Sequence, residues 1–175
     1  MSRAFHVFLL CSVLSAPILG SSNAHAFIFA NDFLEFKVSP ENCADPHFCF
    51  SPKTCITVKE GETGDRTPVV AFPCEGTFAQ QWTFRGGEIL GIGTTGAGGK
   101  CLDVAGGGGD DGTPVQLFTC NGTTAQQWVF SNQFGQNSIV NPRSGKCLDV
   151  GRGEVFRQAT IRFCNESAGQ RWVAR

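Results

Sequence analysis

The chain has 175 residues, a formal net charge of −1, 41% hydrophobic residues and a mean hydropathy of −0.05. That size and composition suit one soluble globular domain. With balanced charge and no block of Lys and Arg, nucleic acid and anionic membrane are excluded as expected partners.

The chain opens on Arg3 and a mostly apolar run from Phe5 to Leu19. Ala24-His25-Ala26 then has the small-x-small form of a signal-peptidase site. This predicts a signal peptide over residues 1–26 and a secreted product, periplasmic if the source is bacterial. The run is short for a membrane span and contains His6 and Pro17. Leu10 before Cys11 is unlike a bacterial lipoprotein site. No later segment is long and apolar enough to cross a bilayer, so no transmembrane anchor is expected.

Cleavage after Ala26 would leave eight cysteines: Cys43, Cys49, Cys55, Cys74, Cys101, Cys120, Cys147 and Cys164. An even set behind a secretory signal reads as disulfides. No Cys-x-x-Cys pair is present and His47 stands alone, so neither a metal site nor another cofactor is expected.

Three segments repeat. Cys55-Ile56-Thr57-Val58, Cys101-Leu102-Asp103-Val104 and Cys147-Leu148-Asp149-Val150 begin them, with the cysteines 46 residues apart. Each runs through a second cysteine, Cys74, Cys120 or Cys164, to a Gln-x-Trp element: Gln80 and Trp82, Gln126 and Trp128, Gln170 and Trp172. The repeats span about 36–86, 87–132 and 133–175. Of the 105 connectivities open to eight cysteines, the repeat symmetry selects Cys55–Cys74, Cys101–Cys120 and Cys147–Cys164. Cys43–Cys49 is left over, in an insertion before the first repeat's cysteine.

The local pattern is β. Short apolar runs such as Val69–Phe72 and Val115–Phe118 are bounded by Gly, Pro, Asn and Asp. Along Lys100–Val104, Leu102 and Val104 should face one side of a strand, and Cys101 and Asp103 the other. If Gln-x-Trp is also strand, Gln and Trp share an inward face. The indole then fills the core and the amide bonds unpaired backbone near a turn. One such repeat is too small to bury its apolar face alone.

The succession Cys-Leu-Asp-Val, Gln-Leu-aromatic-x-Cys and Gln-x-Trp resembles the ricin B-chain family of R-type lectins, over about residues 36–175. The resemblance implies an all-β, disulfide-stapled β-trefoil with pseudo-threefold symmetry, a six-strand barrel capped by three hairpins. It also implies up to one shallow sugar site per repeat. There an Asp accepts hydrogen bonds from neighbouring hydroxyls, an aromatic stacks on the sugar ring, and amides add polar contacts. Carried onto this chain, the second repeat is the best site: Asp103 as acceptor, Phe118 as platform, Gln116 flanking and Gln126 supporting. Ala125 stands where the family has Asn, with Asn121 nearby. The third repeat keeps Asp149 but has Arg162 at the platform and Gly169 at the Asn position, so its site should be weaker. The first has Thr57 for the Asp and Ala79 for the Asn, and is expected not to bind.

The loop from Ala105 to Gly112 lies between Asp103 and Phe118. It reads as a flexible hairpin rather than a calcium loop, for want of ligands. Asn121-Gly122-Thr123 and Asn165-Glu166-Ser167 are glycosylation sequons, meaningful in a eukaryote. No catalytic motif is found. The expected function is a lectin for galactose-type or related glycans, not an enzyme. The alternative is a non-catalytic targeting or protein-binding subunit, for example of a toxin, paired with a separate effector.

Overall fold

The computed structural model describes residues 37–38, 54–91, 99–132, 137–152 and 154–173. The expected signal peptide and the Cys43–Cys49 pair lie outside the described residues. In chain order the strands are β1 (Lys37–Val38), β2 (Thr54–Val58), β3 (Thr67–Pro73), β4 (Trp82–Arg85), β5 (Glu88–Gly91) and β6 (Lys100–Val104). They continue as β7 (Thr113–Thr119), β8 (Val129–Ser131), β9 (Ser138–Asn141), β10 (Lys146–Asp149), β11 (Thr160–Arg162) and β12 (Trp172–Val173). Between them the described residues form only short 3-10 turns and loops.

The unit repeats three times. A cysteine-bearing strand pairs antiparallel with the next one: β2 with β3, β6 with β7, β10 with β11. A 3-10 turn carries the Gln of Gln-x-Trp, and a strand pair follows: β4 with β5, β8 with β9, and β12 with β1. The last pair ties the third repeat to the first. This is the β-trefoil that the resemblance implies.

The second strands meet about the pseudo-threefold axis. β7 pairs with both β3 and β11, and a bridge from Val70 to Gln158 closes the ring. At the entrance to each arm one residue in the left-handed region donates its N–H across to a neighbouring repeat. Arg66 (φ 69°) reaches the Leu117 carbonyl, Gly112 (φ 86°) that of Ile161, and Phe156 (φ 66°) that of Ala71, each at 2.8 Å. That conformation is free for glycine and costs on the order of 1 kcal/mol for Arg or Phe. The interlocking bonds hold both residues there.

Strand alternation places the core as expected. Ile56, Val58, Leu102, Val104, Leu148 and Val150 are buried in one cluster with Val69, Ala71, Val115, Leu117, Ala159 and Ile161. Trp82, Trp128 and Trp172 belong to it as well, and each indole Nε1 donates to the carbonyl of Ile56, Leu102 or Leu148 at 3.2, 2.9 and 3.2 Å. Burial of an aromatic this size with its polar edge satisfied is a large contribution to a small core. The disulfides Cys55–Cys74, Cys101–Cys120 and Cys147–Cys164 close within repeats, each with a Cα–Cα distance of 5.1 Å.

The Gln-x-Trp element differs from the expected strand. Gln80, Gln126 and Gln170 end 3-10 turns (Phe78–Gln80, Thr124–Gln126, Ala168–Gln170) rather than sitting in strands. Both residues still point inward. The turn rotates the Gln so that its amide oxygen reaches backbone N–H groups which no ladder satisfies.

Candidate functional site

Asp103 and Gln116 are directly opposed on β6 and β7, as are Cys101 and Phe118. A two-residue period puts all four on the face away from the core. The Cys101–Cys120 disulfide pins the two strands beside them. Asp103 is only 5% exposed. Its Oδ1 accepts from Gln116 Nε2 at 2.9 Å and its Oδ2 from Gln126 Nε2 at 3.0 Å. A carboxylate offers about four acceptor positions, so this one is oriented by two amides and retains room for hydroxyls.

Gln126 is fully buried and is tied at both ends. Its oxygen accepts from Asn121 N at 2.8 Å, and its nitrogen also donates to the Thr119 carbonyl at 3.0 Å. It therefore acts through Asp103 and does not itself line the cavity.

An open cavity of about 660 Å³ lies over this face, lined by Asp103, Gln116, Phe118 and the Ala105–Gly107 turn. Asn121, Thr123, Thr124 and Ala125 form another wall. Asn121 Oδ1 accepts from Thr123 N at 3.1 Å, which fixes that wall. The loop after Asp103 thus borders the cavity with glycine backbone. Two further lining residues, Arg66 and Arg143, come from the first and third repeats. Repeat-by-repeat sequence reasoning missed them, because they enter only through the threefold packing. Arg143 Nη1 donates to the Gly107 carbonyl.

The other two repeats differ. At Asp149, 4% exposed, Oδ1 accepts from the Gly151 N–H of its own following loop at 2.7 Å, and Oδ2 from Gln170 Nε2 at 2.9 Å. That loop packs down on the third repeat's own Gln turn: Val150 N donates to the Gly169 carbonyl, and a Cβ at Gly169 would collide with Gly151. Arg162 stands exposed at the platform position. In the first repeat, Thr57 Oγ1 accepts from Gln80 Nε2 at 3.0 Å, so a neutral hydroxyl replaces the carboxylate. Its cavity of about 390 Å³ is apolar, with Val70, Phe72, Ala79 and Phe156 among its lining. Phe72 and Phe156 have ring centroids 5.1 Å apart.

Two ion pairs connect successive repeats. Lys100 Nζ lies 2.6 Å from Asp65, and Lys146 Nζ 2.7 Å from Asp111. The hydrogen bond from each lysine, with added donors from Thr119 or Phe163, holds the carboxyl below its ordinary value of 3.8. Asp111, in the glycine-rich loop, is thereby committed to Lys146. Among the described residues, the one close grouping of His, Cys, Asp or Glu is Glu88 with Cys101 and Cys120, whose sulfurs form a disulfide.

A family model described as the ricin-type beta-trefoil lectin domain matches residues 50–172. Comparison with curated proteins finds no match. Among solved structures, the designed threefold-symmetric protein ThreeFoil is similar at a TM-score of 0.65 and 21% identity, covering 81% of this chain and 96% of that one. The C-half of the earthworm R-type lectin, solved in complex with GalNAc, gives 0.61 and 10%, covering 83% and 98%. The hemolytic lectin CEL-III gives 0.56 and 26%, covering 68% of this chain and 27% of that one. The chain thus spans about a quarter of the hemolytic lectin's length.

Proposed function

The chain belongs to the ricin-type β-trefoil lectin domain family, and from that premise we propose that it is a secreted, non-catalytic lectin whose working site is in the second repeat. The observation that carries this reading is the meeting of Asp103, Gln116 and Phe118 in one open cavity. Asp103 accepts from neighbouring hydroxyls of a sugar ring, Phe118 stacks on its C–H face, and Gln116 can turn its amide toward the ring. The ligand is of galactose type or related to it. The earthworm lectin half with GalNAc supports that class, while Ala125 removes one family contact and changes the fit.

The third repeat does not bind in this reading, because its loop folds down onto Gly169 beside Asp149 and Arg162 replaces the aromatic platform. The first has Thr57 in place of the carboxylate. A single shallow site gives weak binding, and useful affinity comes from multivalent glycan surfaces or from several copies of the chain. The test is glycan-array binding by the oxidised chain beginning at Phe27, beside Asp103→Ala and Asp149→Ala. Binding lost with Asp103→Ala and kept with Asp149→Ala supports the proposal. No binding by correctly folded protein overturns it.

A second reading, a targeting or protein-binding subunit attached to a separate effector, is favoured by the mostly apolar first-repeat cavity with its exposed Phe156. In the hemolytic lectin the match likewise covers only part of a longer chain. Partner capture that survives both Asp103→Ala and free sugar distinguishes this reading from the first.

A further inference from the structure

Arg66, Gly112 and Phe156 are threefold mates. Each sits at a left-handed turn and donates to the strand of another repeat. Each also stands by the platform position there. Phe156 packs against Phe72, a Cβ on Gly112 would lie 3.9 Å from Arg162 Nη2, and Arg66 shares the second-repeat cavity with Phe118. The position therefore sets what stands beside each platform: an aromatic at Phe72, no side chain at Arg162, and a guanidinium in the cavity that holds Asp103 and Phe118.

The backbone at Arg66 is firmly placed. Its N–H is bonded to Leu117, and the neighbouring Asp65 is clamped by Lys100 Nζ at 2.6 Å and Thr119 N at 2.7 Å. That clamp commits the adjacent carboxylate to Lys100 rather than to Arg66. Among the described residues the Arg66 side chain has no ion-pair partner. Arg143 borders the same cavity, with Nη1 on the Gly107 carbonyl. The lining thus has two guanidinium groups against one carboxylate. A neutral sugar can meet these guanidinium groups only through its hydroxyls and leaves their charge uncompensated.

We infer that the second-repeat site takes an acidic saccharide, with hydroxyls on Asp103 and a carboxylate or sulfate substituent on Arg66 and Arg143. A guanidinium fork matches either oxyanion, and charge-assisted bonds of this kind are the stronger sort. The inference rests on the lectin reading and names its ligand class.

The test measures binding of the oxidised chain to paired probes: oligogalacturonate against neutral galacto-oligosaccharide, and a galactose-terminated glycan with and without sulfate. The acidic member should bind about fivefold tighter or more, with an advantage that shrinks as salt rises. Arg66→Gln and Arg143→Gln should each reduce that acidic-to-neutral ratio. Arg85→Gln, an equal change of charge outside the cavity, should leave it unaltered. Equal binding of the paired probes, lost in Asp103→Ala, would leave the lectin reading standing and overturn this inference. Acidic binding that persists in Asp103→Ala would mean adhesion by charge elsewhere, and overturns it as well. Failure to bind any glycan sinks both.

Discussion

Gln126 Nε2 donates to Asp103 Oδ2 at 3.0 Å, and the two side chains are buried together between the core and the cavity. The residue that gives the second repeat its fold also aims the carboxylate. Gln126→Ala leaves a buried carboxylate with one partner fewer and orphans Asn121 N and the Thr119 carbonyl. We expect a loss of about 2–4 kcal/mol in denaturant unfolding, together with weakened glycan binding. Gln80→Ala is the control, since Gln80 bonds the neutral Thr57 that stands in the first repeat where Asp103 stands in the second. It should destabilise the protein and leave glycan affinity unchanged.

Asp65 and Asp111 make stability depend on acid. Lysine bonding lowers both carboxyls from 3.8 in the folded protein. The folded state therefore binds these protons less readily than the unfolded state. Their contribution is complete above about pH 4–5, and is lost as the pH falls below 3.8 and through the lower folded-state values. Both groups are exposed and screened, so the effect is modest. Unfolding midpoints measured between pH 2 and 7 should show Asp65→Asn and Asp111→Asn less stable than the parent at neutral pH. The gap should close in acid. A gap that is constant across the range would mean that the ion pairs contribute nothing through titration.

Much of this arrangement is legible in the chain. The 46-residue register of Cys55, Cys101 and Cys147 carries the threefold architecture, and alternation along Lys100–Val104 separates Leu102 from Asp103. What escapes a linear reading is whatever one repeat lends another. Arg66 and Arg143 lie far from Asp103 in sequence, and only the ring of β3, β7 and β11 brings Arg66 to its cavity. Asp149 looks equivalent to Asp103 by motif. Its loop is shorter, with a sequence separation of 17 between the third repeat's cysteines against 19 in the second, and it folds back onto Gly169. The Gln-x-Trp spacing fits strand alternation and also fits a 3-10 turn followed by a strand. Only the unpaired N–H groups at Glu75, Gly76, Asn121 and Asn165 favour the turn, because the Gln oxygen serves them there.

The disulfides separate stability from function. Cys101 and Cys120 bracket the two strands that carry Asp103 and Phe118, whereas Cys55 and Cys74 bracket a repeat that lacks the carboxylate. Each closes a loop of the same sequence separation, 19 residues, so removal of either pair should cost a similar amount, about 2–4 kcal/mol. The consequences for binding should differ. Cys101→Ala with Cys120→Ala frees the edge beside Phe118, lets the platform drift relative to Asp103 and lowers glycan affinity even where the protein remains folded. Cys55→Ala with Cys74→Ala should match it in thermal destabilisation and bind like the parent. Binding measured well below both unfolding transitions checks this. Equal losses of affinity in the two variants would mean that the disulfides act only on global stability, and that the second-repeat strands need no local clamp.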